Sequence, residues 1–255
     1  MLTKVIISIN HSDGFKLYNM SVILNGSVIG NGRFIFGPDI VTNGLVLYLD
    51  AANKLSYPGT GTSWFDITGN GNTGTLTNGP TFNSSNGGSI VFDGTNDYVQ
   101  TNYNAALTDF TACVWFKVPD STNVGSARIL DKSFINGFYL GKNYLGTANS
   151  WGGGIRESSP PYGRYITLTD GQWNYMSFIR SGTTNIIYGN GITNTTSGTV
   201  SSAPLSTSNM RIGVEFSIIS GPFKGDISQV YIYNRALSAS EVLQNYNAIK
   251  GRYGR

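Results

Sequence analysis

Between Phe110 and Lys117 the side chains fall into two alternating sets, one wholly apolar and the other mixed. Phe110, Ala112, Val114 and Phe116 fall on one side, and Thr111, Cys113, Trp115 and Lys117 on the other. A period of two is the signature of a β-strand. The same alternation runs through Trp173, Tyr175, Ser177 and Ile179 against Asn174, Met176, Phe178 and Arg180. Shorter runs rich in β-branched and aromatic residues predict further strands near 45–49, 89–93, 97–101, 127–131, 137–141, 163–168, 184–188, 209–214 and 227–233. Only the end of the chain changes period. Asn234 to Leu237 breaks the last strand, Ser238 and Glu241 form a capping box, and Val242, Leu243, Tyr246 and Ile249 recur at helical spacing.

This pattern predicts an all-β fold: two antiparallel sheets stacked as a jelly-roll sandwich, closed by a short C-terminal helix. Residues 43–255 are assigned to that domain. Residues 1–42 read as a small β-rich extension, with short strands at Lys4–Ile9, Phe15–Leu24 and Arg33–Phe36 and turns at His11–Gly14, Asn25–Gly26 and Gly30–Gly32. A unit of this size cannot usually bury enough surface to fold alone, so it is expected to dock on something else. Two stretches read as long loops, Asn53 to Gly88 and Asn143 to Tyr162; loops on a rigid sandwich are where binding usually sits.

Six elements in order carry a resemblance to a known family: Gly44, Leu45, Leu49 and Asp50; Trp64, Asp66 and Gly69; Phe92, Asp93, Gly94 and Tyr98; Trp115; Asp170, Gly171 and Trp173; and Phe223, Gly225, Tyr233 and Leu237. From Gly44 to Tyr246 the chain resembles the laminin-G-like branch of the concanavalin A-like lectin/glucanase superfamily. One departure is that Ser228 and Gln229 stand where that family often has an acidic pair. The resemblance implies a display or adhesion domain, with Trp64, Trp115 and Trp173 in the framework.

Composition narrows the chemistry. The 33 glycines suit many tight turns, and charged residues are only 12% of the chain. A net charge of +3 with scattered lysines gives no basic stripe for nucleic acid, and the tail Lys250, Arg252 and Arg255 reads as a solvated terminus. No apolar run approaches the roughly 20 residues of a membrane helix, and Met1 to Asn10 does not read as a secretory leader. Cys113 is the only cysteine, which excludes an internal disulfide; on a central strand it reads as a small packed residue.

Catalytic sets are thin. The three glutamates are Glu157, Glu215 and Glu241, the last used by the capping box, and no paired-carboxylate strand motif of the glucanases is present. The one histidine, His11, sits in a predicted turn, so no Ser/His/Asp triad is expected. No cofactor is expected. Asp93 and Asp97 flank a Gly-Thr-Asn turn and offer oxygens to calcium, although an Asx turn is the favoured reading.

The segment SWGGGIRESSPPYGRY gathers Trp151, Arg156, Glu157, Tyr162, Arg164 and Tyr165, and its glycines and prolines argue against a long regular element. Two readings stay open: an aromatic and charged platform for a glycan, or Trp151 and Tyr165 as packing caps on the sandwich end. With the resemblance, these features lead to the expectation of a non-enzymatic structural protein of a virus particle, most naturally a tailed bacteriophage. It would be a homo-oligomer docked to other virion proteins through residues 1–42, exposing its domain to glycans at the particle surface. The alternatives are a bacterial protein that binds or cleaves glycans, and a clamp that binds only protein.

Overall fold

The computed structural model describes the chain except residues 1–2, 13–14, 25–26, 37–38, 120–126, 143–149, 157–161 and 217–220; for 3–12, 15–24, 27–36, Tyr162 and 193–198 it describes the backbone alone. The strands are β1 (Thr3–Ser12), β2 (Phe15–Leu24), β3 (Ser27–Phe36), β4 (Leu45–Asp50), β5 (Ser63–Trp64), β6 (Gly74–Thr77), β7 (Thr81–Asn83), β8 (Ser89–Asp93), β9 (Tyr98–Thr101), β10 (Phe110–Lys117), β11 (Arg128–Asp131), β12 (Gly137–Lys142), β13 (Ser150–Arg156), β14 (Tyr162–Thr167), β15 (Trp173–Ser181), β16 (Thr184–Gly189), β17 (Ile192–Thr199), β18 (Arg211–Ile212) and β19 (Lys224–Tyr233). Among the described residues one α-helix, α1 (Ala239–Ile249), follows.

Two antiparallel sheets form the sandwich, as the alternation predicts. The first runs β17-β16-β15-β10-β19-β8-β7, with β4 also paired to β19. The second runs β14-β13-β12-β11-β18-β9-β6-β5. Within β19, Lys224 to Ile227 pair with β8 and Gln229 to Tyr233 with β4, so one long strand holds two partners on the same side. Between the sheets lies the main core, including Leu47, Trp64, Phe92, Val114, Phe116, Phe138, Leu140, Trp151, Phe178 and Ile232.

The first sheet is buried on its other face as well. Trp115, Tyr175, Tyr231 and Tyr233 point away from the main core and pack under Val242 of α1 and Tyr253 of the tail. Tyr246 stacks on Trp115 with ring centroids 5.6 Å apart, and Tyr253 lies 4.6 Å from Trp115 and 4.4 Å from Trp173. The capping box on α1 forms as expected, Ser238 accepting from the Glu241 amide while Glu241 accepts from the Ser238 amide. A mid-helix polar residue, Asn245, is fully buried and ties α1 to the domain entrance: its Oδ1 accepts from Val41 N at 2.8 Å, and its Nδ2 donates to the Tyr233 hydroxyl.

Several expectations need correction. The tail is not a solvated terminus: Arg252 makes two hydrogen bonds to the buried Asp50, and Arg255 donates to Gln172. The long loop predicted from Asn53 contains β5, β6 and β7, whose small and polar residues hid their pairing. His11 lies within β1, paired with Lys16, instead of sitting in a turn. Gly30 to Gly32 continue β3 rather than breaking it, since Gly30 and Gly32 pair with Val22 and Met20. The three N-terminal strands form a sheet of their own, β1-β2-β3, separate from both main sheets.

Candidate functional site

With one outer surface sealed by the helix and tail, the outer face of the second sheet carries the other outward side chains of the sandwich: Arg128, Asp131, Tyr139 and Arg156 at its centre are buried, and Tyr98, Gln100, Tyr165 and Arg211 around them are half-buried. Strand alternation sets its membership. Phe138 and Leu140 of β12, Trp151 and Ile155 of β13, Ile212 of β18 and Val99 of β9 all join the main core. Tyr139, Arg156, Arg211, Tyr98 and Gln100 therefore project outward. In β11 a register shift between Arg128 and Leu130 sends both Ile129 and Leu130 into the core, which leaves Arg128 and Asp131 on the outer face.

The outward residues form one connected lattice. Arg156 Nη2 donates to Asp131 Oδ2 at 2.5 Å and to Glu215 Oε1 at 3.0 Å. Arg128 approaches the same Asp131 oxygen at 3.6 Å, beyond hydrogen-bond reach, and its guanidinium lies 4.5 Å from the centre of the Tyr139 ring. The Tyr139 and Tyr165 hydroxyls are 2.8 Å apart. Arg156 also covers Phe134, at 4.4 Å. Further along, Arg211 stands 4.9 Å from the Tyr98 ring and 5.9 Å from the Phe216 ring, and its Nε donates to Gln100 Oε1 at 3.0 Å. Beside this lattice opens a groove of about 640 Å³ lined by Phe134, Ile135, Leu205, Ser206, Thr207 and Phe216, among others.

Burial shapes the charges. Asp131 is fully buried, which pushes its carboxyl up to about 7, with Arg156 and Arg128 pulling the other way. Among the described residues its Oδ1 has no hydrogen-bond partner, nor do Arg128 Nη1 and Arg156 Nε. The Tyr139 phenol is raised, chiefly by burial and then by Tyr165 beside it. Near the groove, the enclosed Lys132 ammonium is lowered to about 8 by burial and donates to Ser208 O at 2.6 Å.

The predicted platform divides. Arg156 and Tyr165 belong to the outer lattice. Trp151 does not: it has no exposed surface, packs between Phe116 and Phe223, and donates its indole N–H to Asp170 Oδ1 at 3.2 Å. It is a core residue because β13 alternates and Trp151 falls on the inner side with Ile155. Arg164, opposite Gly153 and in phase with Ile166, alternates to the inner side of the edge strand, where its Nη1 donates to the Gly163 carbonyl at 3.5 Å. Of Tyr162 the backbone alone is described, paired with Ile155, and Glu157 lies outside the described residues.

The segment is also not a loop throughout, since β13 and β14 pair from Ser150–Thr167 to Ile155–Tyr162. Its glycines are there for close approach. A Cβ on Gly152 would lie 1.8 Å from the Arg164 carbonyl oxygen, and one on Gly153 3.1 Å from the Phe178 ring.

Sequence reasoning missed Arg128, Asp131, Tyr139, Arg211 and Phe216. The usable signal was polar or amphipathic residues at outward positions of predicted strands, as in Phe138-Tyr139-Leu140. At the candidate calcium turn, Asp93 Oδ1 accepts from Thr95 N at 2.7 Å, the bond of an Asx turn, and Asp97 Oδ2 accepts from Asp93 N at 2.9 Å across the turn. Among the described residues no three His, Cys, Asp or Glu side chains gather to hold a metal ion, and no helix is long and apolar enough to cross a membrane.

Comparison with known proteins places this architecture. Domain 4 of AbnA, a GH43 extracellular arabinanase from Geobacillus stearothermophilus solved with arabinotriose, superimposes with a TM-score of 0.62 at 19% identity, covering 79% of this chain and 98% of that domain. The botulinum neurotoxin serotype G binding domain gives 0.62 at 15% identity, over 79% of this chain and 50% of that one. Trypanosoma rangeli sialidase in complex with sialic acid gives 0.61 at 12% identity, over 99% of this chain. This chain therefore spans about half the length of the last two, matching 50% and 46% of them. Likeness at these identities establishes the fold. No curated protein matches the sequence. The model of the concanavalin A-like lectin/glucanases superfamily matches residues 93–243, more than half of the chain, and the chain belongs to that superfamily.

Proposed function

We propose that this chain is a non-enzymatic, lectin-like display module that holds carbohydrate on the outer face of its second sheet. The observation that carries the reading is the contrast between the two outer faces. One is sealed by α1 and Tyr253, whereas the other has half-buried Tyr98, Tyr165, Arg211 and Phe216 and exposed Phe134 and Ile135 at an open groove, around a buried centre of Arg128, Asp131, Tyr139 and Arg156. Aromatic faces pack against the apolar side of a sugar ring, and fixed guanidinium and carboxylate groups take its hydroxyls. The neighbours solved with arabinotriose and with sialic acid support a saccharide as ligand class for this scaffold.

Binding rather than cleavage is the reading the geometry favours. A glycosidase needs two carboxyl groups that reach the scissile bond. Here Asp131 and Glu215 share Arg156, and Asp131 has no exposed surface through which to meet a substrate. No metal is required for the binding proposed.

The setting we propose is the surface of a virus particle, with residues 1–42 as the docking element of a homo-oligomer. Support comes from the separate β1-β2-β3 sheet and from the Asn-rich composition with a single cysteine. Binding of wild-type protein and a Tyr165→Ala variant to an oligosaccharide array, with release of reducing ends measured in parallel, tests the functional reading. Retained glycans that the variant loses, without released ends, are expected. Released ends would make it an enzyme, and a blank array would leave a clamp that binds only protein.

A further inference from the structure

Resting on that reading, we infer that Arg211 is a carboxylate receptor, so that the site selects saccharides bearing a carboxylate, such as uronic or sialic acids, over neutral ones. The three arginines of the outer face differ in what occupies them. Arg156 is committed to Asp131 and Glu215, and Arg128 leans on Asp131 at 3.6 Å. Among the described residues the acceptors recorded for Arg211 are neutral: Gln100 Oε1 on Nε at 3.0 Å and the Glu215 carbonyl oxygen on Nη1 at a marginal 3.5 Å. As a residue it is half-buried rather than enclosed.

Its setting is that of a prepared receptor. Tyr98 and Phe216 flank the guanidinium plane at 4.9 and 5.9 Å, and Gln100 fixes the Nε edge. Less rotamer freedom then remains to be lost when an anion arrives. A guanidinium offers parallel N–H groups matched in spacing to the two oxygens of a carboxylate, a fit that a lysine or a neutral amide does not reproduce. Phe216 both flanks Arg211 and lines the groove, so a sugar ring seated in the groove would lie beside the cation. Arg211 is thus a specificity-determining residue distinct from the Arg156 cluster, whose guanidinium groups already face Asp131 and Glu215.

Isothermal titration with sialyllactose and trigalacturonate, against lactose and arabinotriose, tests the inference on wild-type, Arg211→Gln and Arg211→Lys proteins of the full chain. The expected result is an acidic sugar bound about tenfold or more tightly than its neutral counterpart, as a charge-assisted pair at a half-buried site would give. Arg211→Gln should erase that preference, and Arg211→Lys should keep only part of it, each with an unchanged circular-dichroism spectrum. If wild-type protein binds neutral and acidic sugars equally, the carboxylate inference falls while the carbohydrate reading stands. If it binds neither class, both fall. Capture of a heparin tetrasaccharide desulfated at every position should survive, because its uronic carboxylates remain; binding that requires the sulfates would overturn carboxylate selection. A misfolded Arg211→Gln protein leaves Gln100→Ala to decide: it frees the Nε edge and should reduce the acidic preference, and an unaltered preference would overturn the role of Gln100-held Arg211.

Discussion

Arg252 and Asp50 stand 202 residues apart in sequence and meet in a bidentate ion pair, with Nη1 to Oδ1 at 2.9 Å and Nη2 to Oδ2 at 3.2 Å. Asp50 also accepts from Gln229 Nε2, the Tyr48 hydroxyl and the Ala52 amide. The pair latches the C-terminal tail onto β4 and β19, and Tyr253 is thereby laid over Trp115 and Trp173. Arg252→Ala should cost about 2–4 kcal/mol, because Asp50 is left buried without its cation. Urea denaturation measures this, and Asp50→Asn in the same chain should restore part of the loss. An unchanged midpoint would mean that the tail does not brace the sheet.

Trp151→Ala is a stability variant. Removing a fully buried indole from between Phe116 and Phe223 should cost about 3–5 kcal/mol, as large-to-small core substitutions do. Thermal and chemical unfolding should both register it. A variant as stable as wild type would place the ring at the surface, as the glycan-platform reading of the sequence had it.

Glu241 supplies a pH dependence. The Arg235 guanidinium, first, and the Ser238 hydrogen bonds hold its carboxyl down at about 2, against an ordinary 4.5. A depressed carboxyl stabilises the fold fully above its unfolded value, and that contribution is lost as the pH falls from about 4.5 through 2. The pair is about a quarter exposed, so solvent screening leaves roughly 1–2 kcal/mol. Glu241→Gln should therefore be less stable than wild type at pH 7, with the two converging near pH 2. A constant difference across that range, read by denaturant titration, would contradict the assignment.

Gly163 tests the tyrosine pair. A Cβ at this position would stand 2.5 Å from the Tyr139 hydroxyl and 2.7 Å from that of Tyr165. Gly163→Ala should force the two hydroxyls apart, cost about 1–3 kcal/mol as overpacking does, and weaken carbohydrate retention together with Tyr165→Phe. Retention by both variants at wild-type strength would remove the pair from the site.

The sandwich was legible because its strands alternate between two faces with different partners, as in Phe110–Lys117 and Trp173–Arg180, where one set enters the main core and the other includes Trp115 and Tyr175 under the helix and tail. The helix was legible because Ser238 and Glu241 are a local signal. Strands such as Gly74–Thr77 and Ser150–Arg156 were not, since glycines admitted for close packing look like turn residues when the neighbouring strand is unseen. The site was half legible for the same reason. Arg156 and Tyr165 stand near one another in sequence, whereas Arg128, Tyr139 and Arg211 join them only through the pairing of β11 with β12 and β18. Trp151 misled because its chemistry suits a sugar while its phase on β13 points it inward.

The central claim is that carbohydrate is held on the outer face of the second sheet. Hydrogen–deuterium exchange of the full chain, with and without the oligosaccharide retained most tightly on the array, tests it most directly. The account predicts slowed exchange in 128–142, 150–156 and 205–216, with α1 and the 239–253 region unchanged. Protection confined to α1, the tail or residues 3–36 would contradict it.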